Sequence, residues 1–228
     1  RRVLLWGGCM AEALAKSAPP LWNVEHCLYQ SGLHERPQTK EDQDYDALLI
    51  VLSLRTVLGQ VAQRILGFYD ADLLVFRSLP LEEVFSVAKE IVDTLLAQSI
   101  AAVAGRFPVF VLSFLEPPPS GVGLFSVREA GSLYRLVRDV NDYLAKILRG
   151  SSGLWYVELN DLRSRYGDWG IYDGYDFCYA HAGLLSARQH PFLNATFERL
   201  DAMLDAIFDK HPVKAIITDL DNTLWKGV

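Results

Sequence analysis

Two stretches of this chain carry residue types that could do chemistry, one near each end. Near the carboxyl end, Asp219 and Asp221 follow residues 213–218, a short apolar and β-branched run that predicts a buried strand. Carboxylates two residues apart at the carboxyl end of a strand lie where open α/β sheets place their ligands. Such a pair repels unless a cation sits between its members, and hard oxygen donors of this kind suit Mg²⁺. The division of labour would be one aspartate as nucleophile on phosphorus and the other as general acid/base. Near the amino end, Gly7-Gly8-Cys9 sits where a strand at 2–6 gives way to a helical stretch at 11–16. Glycines there let the backbone turn sharply and leave amide N–H groups free to hold an anion. A cysteine at the start of a helix has its thiolate favoured by the helix dipole.

The elements that must position these residues alternate along the chain. Strands are predicted at 2–6, 22–29, 46–54, 108–115, 154–159 and 213–218, with helices at 11–16, 56–68, 81–104, 126–148 and 192–208. The run at 46–54 is continuously apolar, as a central strand covered on both faces would be. Regular alternation predicts an α/β fold, a parallel sheet with right-handed crossovers and helices on both faces. Loops are expected at 30–43, in the Pro- and Gly-rich stretch at 116–123, and in an aromatic, Gly-rich stretch at 166–179. Pro212 closes the last helix just before the 213–218 strand, which predicts a first domain over 1–210 and a second beginning at 211–228.

Composition narrows the function classes. The chain has 228 residues, half of them hydrophobic and 22% charged, which is the balance of a globular protein. A net charge of −6 with no basic stripe argues against nucleic acid as a partner. No apolar stretch approaches the ~20 residues of a membrane span. Cys9, Cys27 and Cys178 cannot all pair with one another and match no zinc spacing, so a cytoplasmic setting is expected.

The string Asp219-Leu-Asp221-Asn-Thr-Leu-Trp-Lys-Gly-Val228 resembles motif one of the haloacid-dehalogenase (HAD) phosphatase superfamily, and specifically its FkbH-like branch. Members of that branch load a glyceryl unit onto an acyl carrier protein. The resemblance implies a phosphoglyceryl donor, with Mg²⁺ bound at Asp219 and Asp221 through one carboxylate and one backbone carbonyl. A HAD phosphatase also needs a Ser/Thr, a Lys and further carboxylates downstream of motif one. The chain is therefore expected to hold a truncated HAD domain and to lack phosphatase activity by itself.

Gly7-Gly8-Cys9 resembles the nucleophile turn of SGNH hydrolases, with Cys9 in the place of their serine, and the domain before the HAD motif in FkbH-like proteins is similar to that fold. A three-layer, SGNH/flavodoxin-like domain is thus expected. A late loop supplies an Asp and His pair in that fold, and here Asp173, Asp176 and His181 match it, with His190 as competitor. Position 178 is Cys, a departure from the usual Asp-x-x-His, and Ser53-Leu54-Arg55 stands where an Asn-bearing element is expected. These departures argue against ordinary esterase activity. A cysteine thioester exchanges with another thiol at little free-energy cost, so Cys9 could hold an acyl group on its way to a carrier. Two bland readings compete with this. Cys is among the most often buried residue types and Cys9 could simply pack. The domain could also dock a carrier protein without catalysing anything. Cys27 and Cys178 are read as packing residues, Asn141 and Asp142 as solvated or capping groups.

Overall fold

The computed structural model describes residues 1–28, 44–52, 54–67, 81–103, 105–116, 133–171 and 190–208, with residues 9, 10, 28, 54, 55, 66, 81, 102 and 133 placed through their backbone alone. Five parallel strands form one sheet: β1 (Arg2–Gly7), β2 (Asn23–Leu28), β3 (Ala47–Val51), β4 (Val109–Leu112) and β5 (Leu154–Val157). Their order is β2-β1-β3-β4-β5, the flavodoxin-type arrangement, so the order reverses between β1 and β3. The helices are α1 (Cys9–Lys16), α2 (Leu54–Leu66), α3 (Leu81–Val103), α4 (Leu133–Arg149), α5 (Asn160–Ile171) and α6 (His190–Ile207). The expected three-layer parallel α/β fold is what the described residues form.

The layers follow from the two-residue period of the strands. Leu4, Trp6, Leu48, Ile50, Val109 and Val111 bury one face against α2, α3 and α4. Val3, Leu5, Leu49, Val51, Phe110 and Leu112 bury the other against α1, α5 and α6. Both faces of β1 and β3 are covered, which is why these strands read as unbroken apolar runs rather than alternating ones. α4 shows the converse pattern. Its Leu136, Val137, Val140, Leu144 and Leu148 are buried, while Arg135, Arg138, Asp142, Lys146 and Arg149 face outward.

Three expectations need correction. β3 ends at Val51 and the backbone is already helical at Leu54, because α2 begins as soon as the chain clears the sheet edge. β4 ends at Leu112; the Ser113 amide still bonds the Val157 carbonyl at 2.9 Å, and beyond it the backbone groups of Phe114 and the Glu116 amide are met by side chains. A helix, α5, follows β5 directly and takes up the first part of the stretch expected as a loop at 166–179. Its signal was masked by Gly167, whose φ of 65° kinks the helix where a side chain would be strained. The expected helix start at 126–132, the 30–43 loop, the boundary at 209–212 and the 213–218 strand lie outside the described residues. Among the described residues, no helix is long and apolar enough to cross a membrane.

Candidate functional site

The carboxyl ends of β1 and β3, on either side of the order reversal, form the crevice in which doubly wound folds bind ligands. β1 delivers Gly7 and Gly8 there, and Gly8 is the N-cap of α1 with an extended backbone and no side chain to cap the helix. The Ala11 amide bonds back to the Gly8 carbonyl at 2.9 Å. Cys9 is thus the first residue of α1, at the positive end of its dipole. Gly7 is demanded by packing. A Cβ at this position would sit 2.7 Å from the Ala11 Cβ and 2.7 Å from the Val51 carbonyl oxygen. The glycine therefore lets α1 settle onto the β1–β3 seam. Below the turn, Trp6, Val51, Leu52, Thr56, Val57 and Leu95 help to line a cavity of about 10 Å³, room for about one water.

A second polar centre occupies the carboxyl ends of β4 and β5. Glu158 draws donors from four directions. Its Oε1 accepts from the Asn160 amide at 2.7 Å, Asn160 Nδ2 at 2.9 Å and Ser113 Oγ at 3.2 Å, and its Oε2 from the Tyr156 hydroxyl at 3.1 Å. Burial pushes the Tyr156 phenol up, and the adjacent Glu158 carboxylate adds to that. Ser113 Oγ in turn accepts from the Leu159 amide at 3.0 Å. Residues 114–116 are held on both sides. Asn141, buried on α4, accepts from the Phe114 amide and donates to the Phe114 carbonyl, both at 2.9 Å. Asn160 donates to the same carbonyl and accepts from the Glu116 amide at 2.8 Å. Asn141 is therefore neither solvated nor a cap, whereas Asp142 is exposed as expected.

Two arginines extend this centre. Arg163 pairs with Asp168 and reaches Glu116, and Arg199 on α6 donates to the Glu158 carbonyl and to both Asp161 oxygens at 2.6 and 2.7 Å. Hydrogen bonding from Arg199 holds the Asp161 carboxyl below its ordinary value. A lowered folded pKa stabilises the fold above the unfolded value of ~3.9 and loses that contribution as pH falls through the folded one. Asp161 is more than half exposed, so the pair contributes at most about 1 kcal/mol. Asp161→Asn should lower the urea midpoint at pH 7 and leave it unchanged at pH 2. An equal loss at both pH values would show that the charge is irrelevant.

Of the expected site residues, Cys9 stands at the crevice by its backbone position. His190 is exposed at the first residue of α6. Asp173, Asp176, His181, Asp219 and Asp221 lie outside the described residues. Among the described residues no group of three or more His, Cys, Asp and Glu gathers as a metal site. Cys27 is a half-buried free thiol packed against the core, as expected. The Ser113–Asn141–Glu158–Asn160 centre escaped the sequence reading. Its one visible signal was a carboxylate, Glu158, in the apolar run from Leu154 to Leu159.

No family model and no curated protein matches the chain. A solved structure does, that of the N-terminal part of the protein BF1531 from Bacteroides fragilis, containing a phosphatase domain and complexed with Mg. The TM-score is 0.56 at 18% identity, over all of this chain and 57% of that one. The likeness shows the fold alone. This chain spans little more than half of that neighbour's length.

Proposed function

We propose that the chain is the N-terminal part of an FkbH-like enzyme that dephosphorylates a phosphoglyceryl unit and passes glyceryl, as a thioester, to an acyl carrier protein. The observation that carries the reading is the placement of Cys9, first residue of α1 behind a glycine that packing demands, at the crevice between β1 and β3. The Asp219-x-Asp221-x-Thr223 motif supports the phosphatase half. A neighbour of the same fold whose crystal structure contains a phosphatase domain and Mg agrees with it.

In this reading the Cys9 thiolate attacks an activated glyceryl carboxyl group, such as an acyl phosphate. The carboxyl carbon–oxygen bond breaks, the carbon–sulfur bond forms and phosphate leaves with the electron pair. His181 serves as base, with Asp173 or Asp176 orienting it. Asp219 attacks the phosphomonoester phosphorus while Asp221 protonates the departing alcohol, and water then cleaves the aspartyl phosphate, releasing phosphate and returning the Asp219 carboxylate. The hard oxygen donors of Asp219 and Asp221 suit Mg²⁺, which would neutralise charge on the phosphoryl oxygens. The alternative reading is a carrier-docking module in which Cys9 is inert.

The deciding experiment compares Cys9→Ser with the parent in a protein whose chain continues through a complete phosphatase domain. Serine is close to cysteine in volume, so the fold should persist. Carrier loading should fall at least about a hundredfold, the scale of losing a positioned nucleophile. Alkylation of Cys9 should also follow a midpoint below the ~8.5 of a free thiol. Loading at the parental rate by Cys9→Ser would leave the docking-module reading in place.

A further inference from the structure

We propose a second binding site at the amino edge of the sheet, a groove that takes a small organic cation with an apolar body, of the arylalkylammonium class. The site is independent of the functional reading above. Cys9 stands at the carboxyl edge, past the end of β1, whereas Arg1 precedes β1, Trp22 precedes β2 and Asp46 precedes β3. These three entries to the sheet, together with α6, line a groove of about 780 Å³. That volume lies within the ~300–1,000 Å³ of small-molecule sites.

α6 supplies one wall through Asn194, Phe197, Glu198 and Asp201, whose spacing puts them on one face of the helix. The connection from α1 to β2 supplies the other. Pro19 and Pro20 fix their own φ there, the Trp22 amide bonds the Pro19 carbonyl at 2.8 Å, and the Arg1 amino group holds the Leu21 carbonyl at 2.7 Å. This wall is set before any guest arrives, which lowers the entropy cost of binding. Its surface is apolar. Leu21 is 84% exposed, and Trp22 packs edge-on to Phe197 with ring centres 5.0 Å apart.

Charge selects the guest. Asp46, Glu198 and Asp201 line the groove against one guanidinium, that of Arg1. The guanidinium is already shared by Asp201, at 2.8 Å, and Asp205. Glu198 and Asn194 are exposed and take no partner among the described residues. An anionic guest would meet unbalanced carboxylates. A wholly apolar one would strip water from Glu198 and return no hydrogen bond. An ammonium on an apolar stem satisfies both demands, donating to the Glu198 carboxylate while its stem covers Leu21 and Trp22.

Isothermal titration of the 228-residue chain with phenethylammonium, phenethyl alcohol and hydrocinnamate tests the site. The ammonium should bind saturably with a Kd of about 1 mM or below. It should bind at least about threefold tighter than the alcohol, the scale of one partly exposed charge pair, and the carboxylate should bind more weakly than either. Glu198→Gln keeps the shape of the side chain and should erase the preference of ammonium over alcohol. Leu21→Lys places a cation on the apolar rim and should weaken the ammonium at least about tenfold. Both positions are exposed, so urea midpoints should match the parent and show that the variants are folded. Equal affinity for the three probes, a preference for ammonium that survives Glu198→Gln, or titrations without saturation would each overturn the proposal.

Discussion

Gly7→Ala should destabilise the domain by about 3 kcal/mol, the upper part of the range for forcing a methyl into a packed interior. Two neighbours oppose the new Cβ, each at 2.7 Å, and they differ in kind. The Ala11 Cβ belongs to α1, which could lift away. The Val51 carbonyl oxygen belongs to β3, whose backbone is held by pairing with β1 on one side and β4 on the other. The double variant Gly7→Ala/Ala11→Gly should therefore recover only part of the loss, because the clash with the strand remains. Urea unfolding of the parent, the single and the double variants measures this. Full recovery would mean that the helix alone sets the constraint. The effect also reaches the proposed chemistry, since a displaced α1 moves Cys9 with it and should slow its alkylation.

Asn141→Leu should cost about 2–3 kcal/mol although it removes a polar group from a buried site and adds an apolar one of similar size. The Phe114 amide would lose its acceptor in a place where water cannot replace it. The Phe114 carbonyl would keep Asn160 as a donor, so one orphaned amide accounts for most of the loss. Asn141→Asp separates the two roles. It retains an acceptor for the amide and sets a carboxylate oxygen against the carbonyl, so its destabilisation should ease at low pH, when the carboxyl can donate. Stability equal to the parent for Asn141→Leu would show that residues 113–116 relax to other partners.

Much of the architecture was legible in the residues. The unbroken apolar run from Ala47 to Val51 fixed β3 as a doubly covered central strand, and the period of α4 placed its buried face. Gly7 marked the turn into α1 because a Cβ there would meet both the Ala11 Cβ and the Val51 carbonyl oxygen. α5 was not legible. Its apolar residues are few, with Leu162 and Ile171 as the buried ones, and Gly167 interrupts it, so neither period nor propensity announces a helix. Contacts with α6, including Tyr166 beside Phe192, hold it in place instead.

The site divides along the same line. Sequence by itself placed Cys9 behind two glycines at a strand-to-helix junction, since that information is local, while the junction expected at Asp219 and Asp221 lies outside the described residues. Tertiary structure alone decided that Asn141, which reads as a surface residue of an amphipathic helix, turns inward to serve the Phe114 amide and carbonyl. Past Ser113, whose amide still bonds the Val157 carbonyl, the buried backbone groups of Phe114 need partners, and the side chains that meet them come from residues 27 and 46 positions further along the chain. The strand order β2-β1-β3-β4-β5 is likewise a property of the folded sheet, and it sets the crevice beside Gly7. Local pattern names an element and its faces; the pairing of distant elements depends on how their buried surfaces fit one another, which no short stretch of sequence contains.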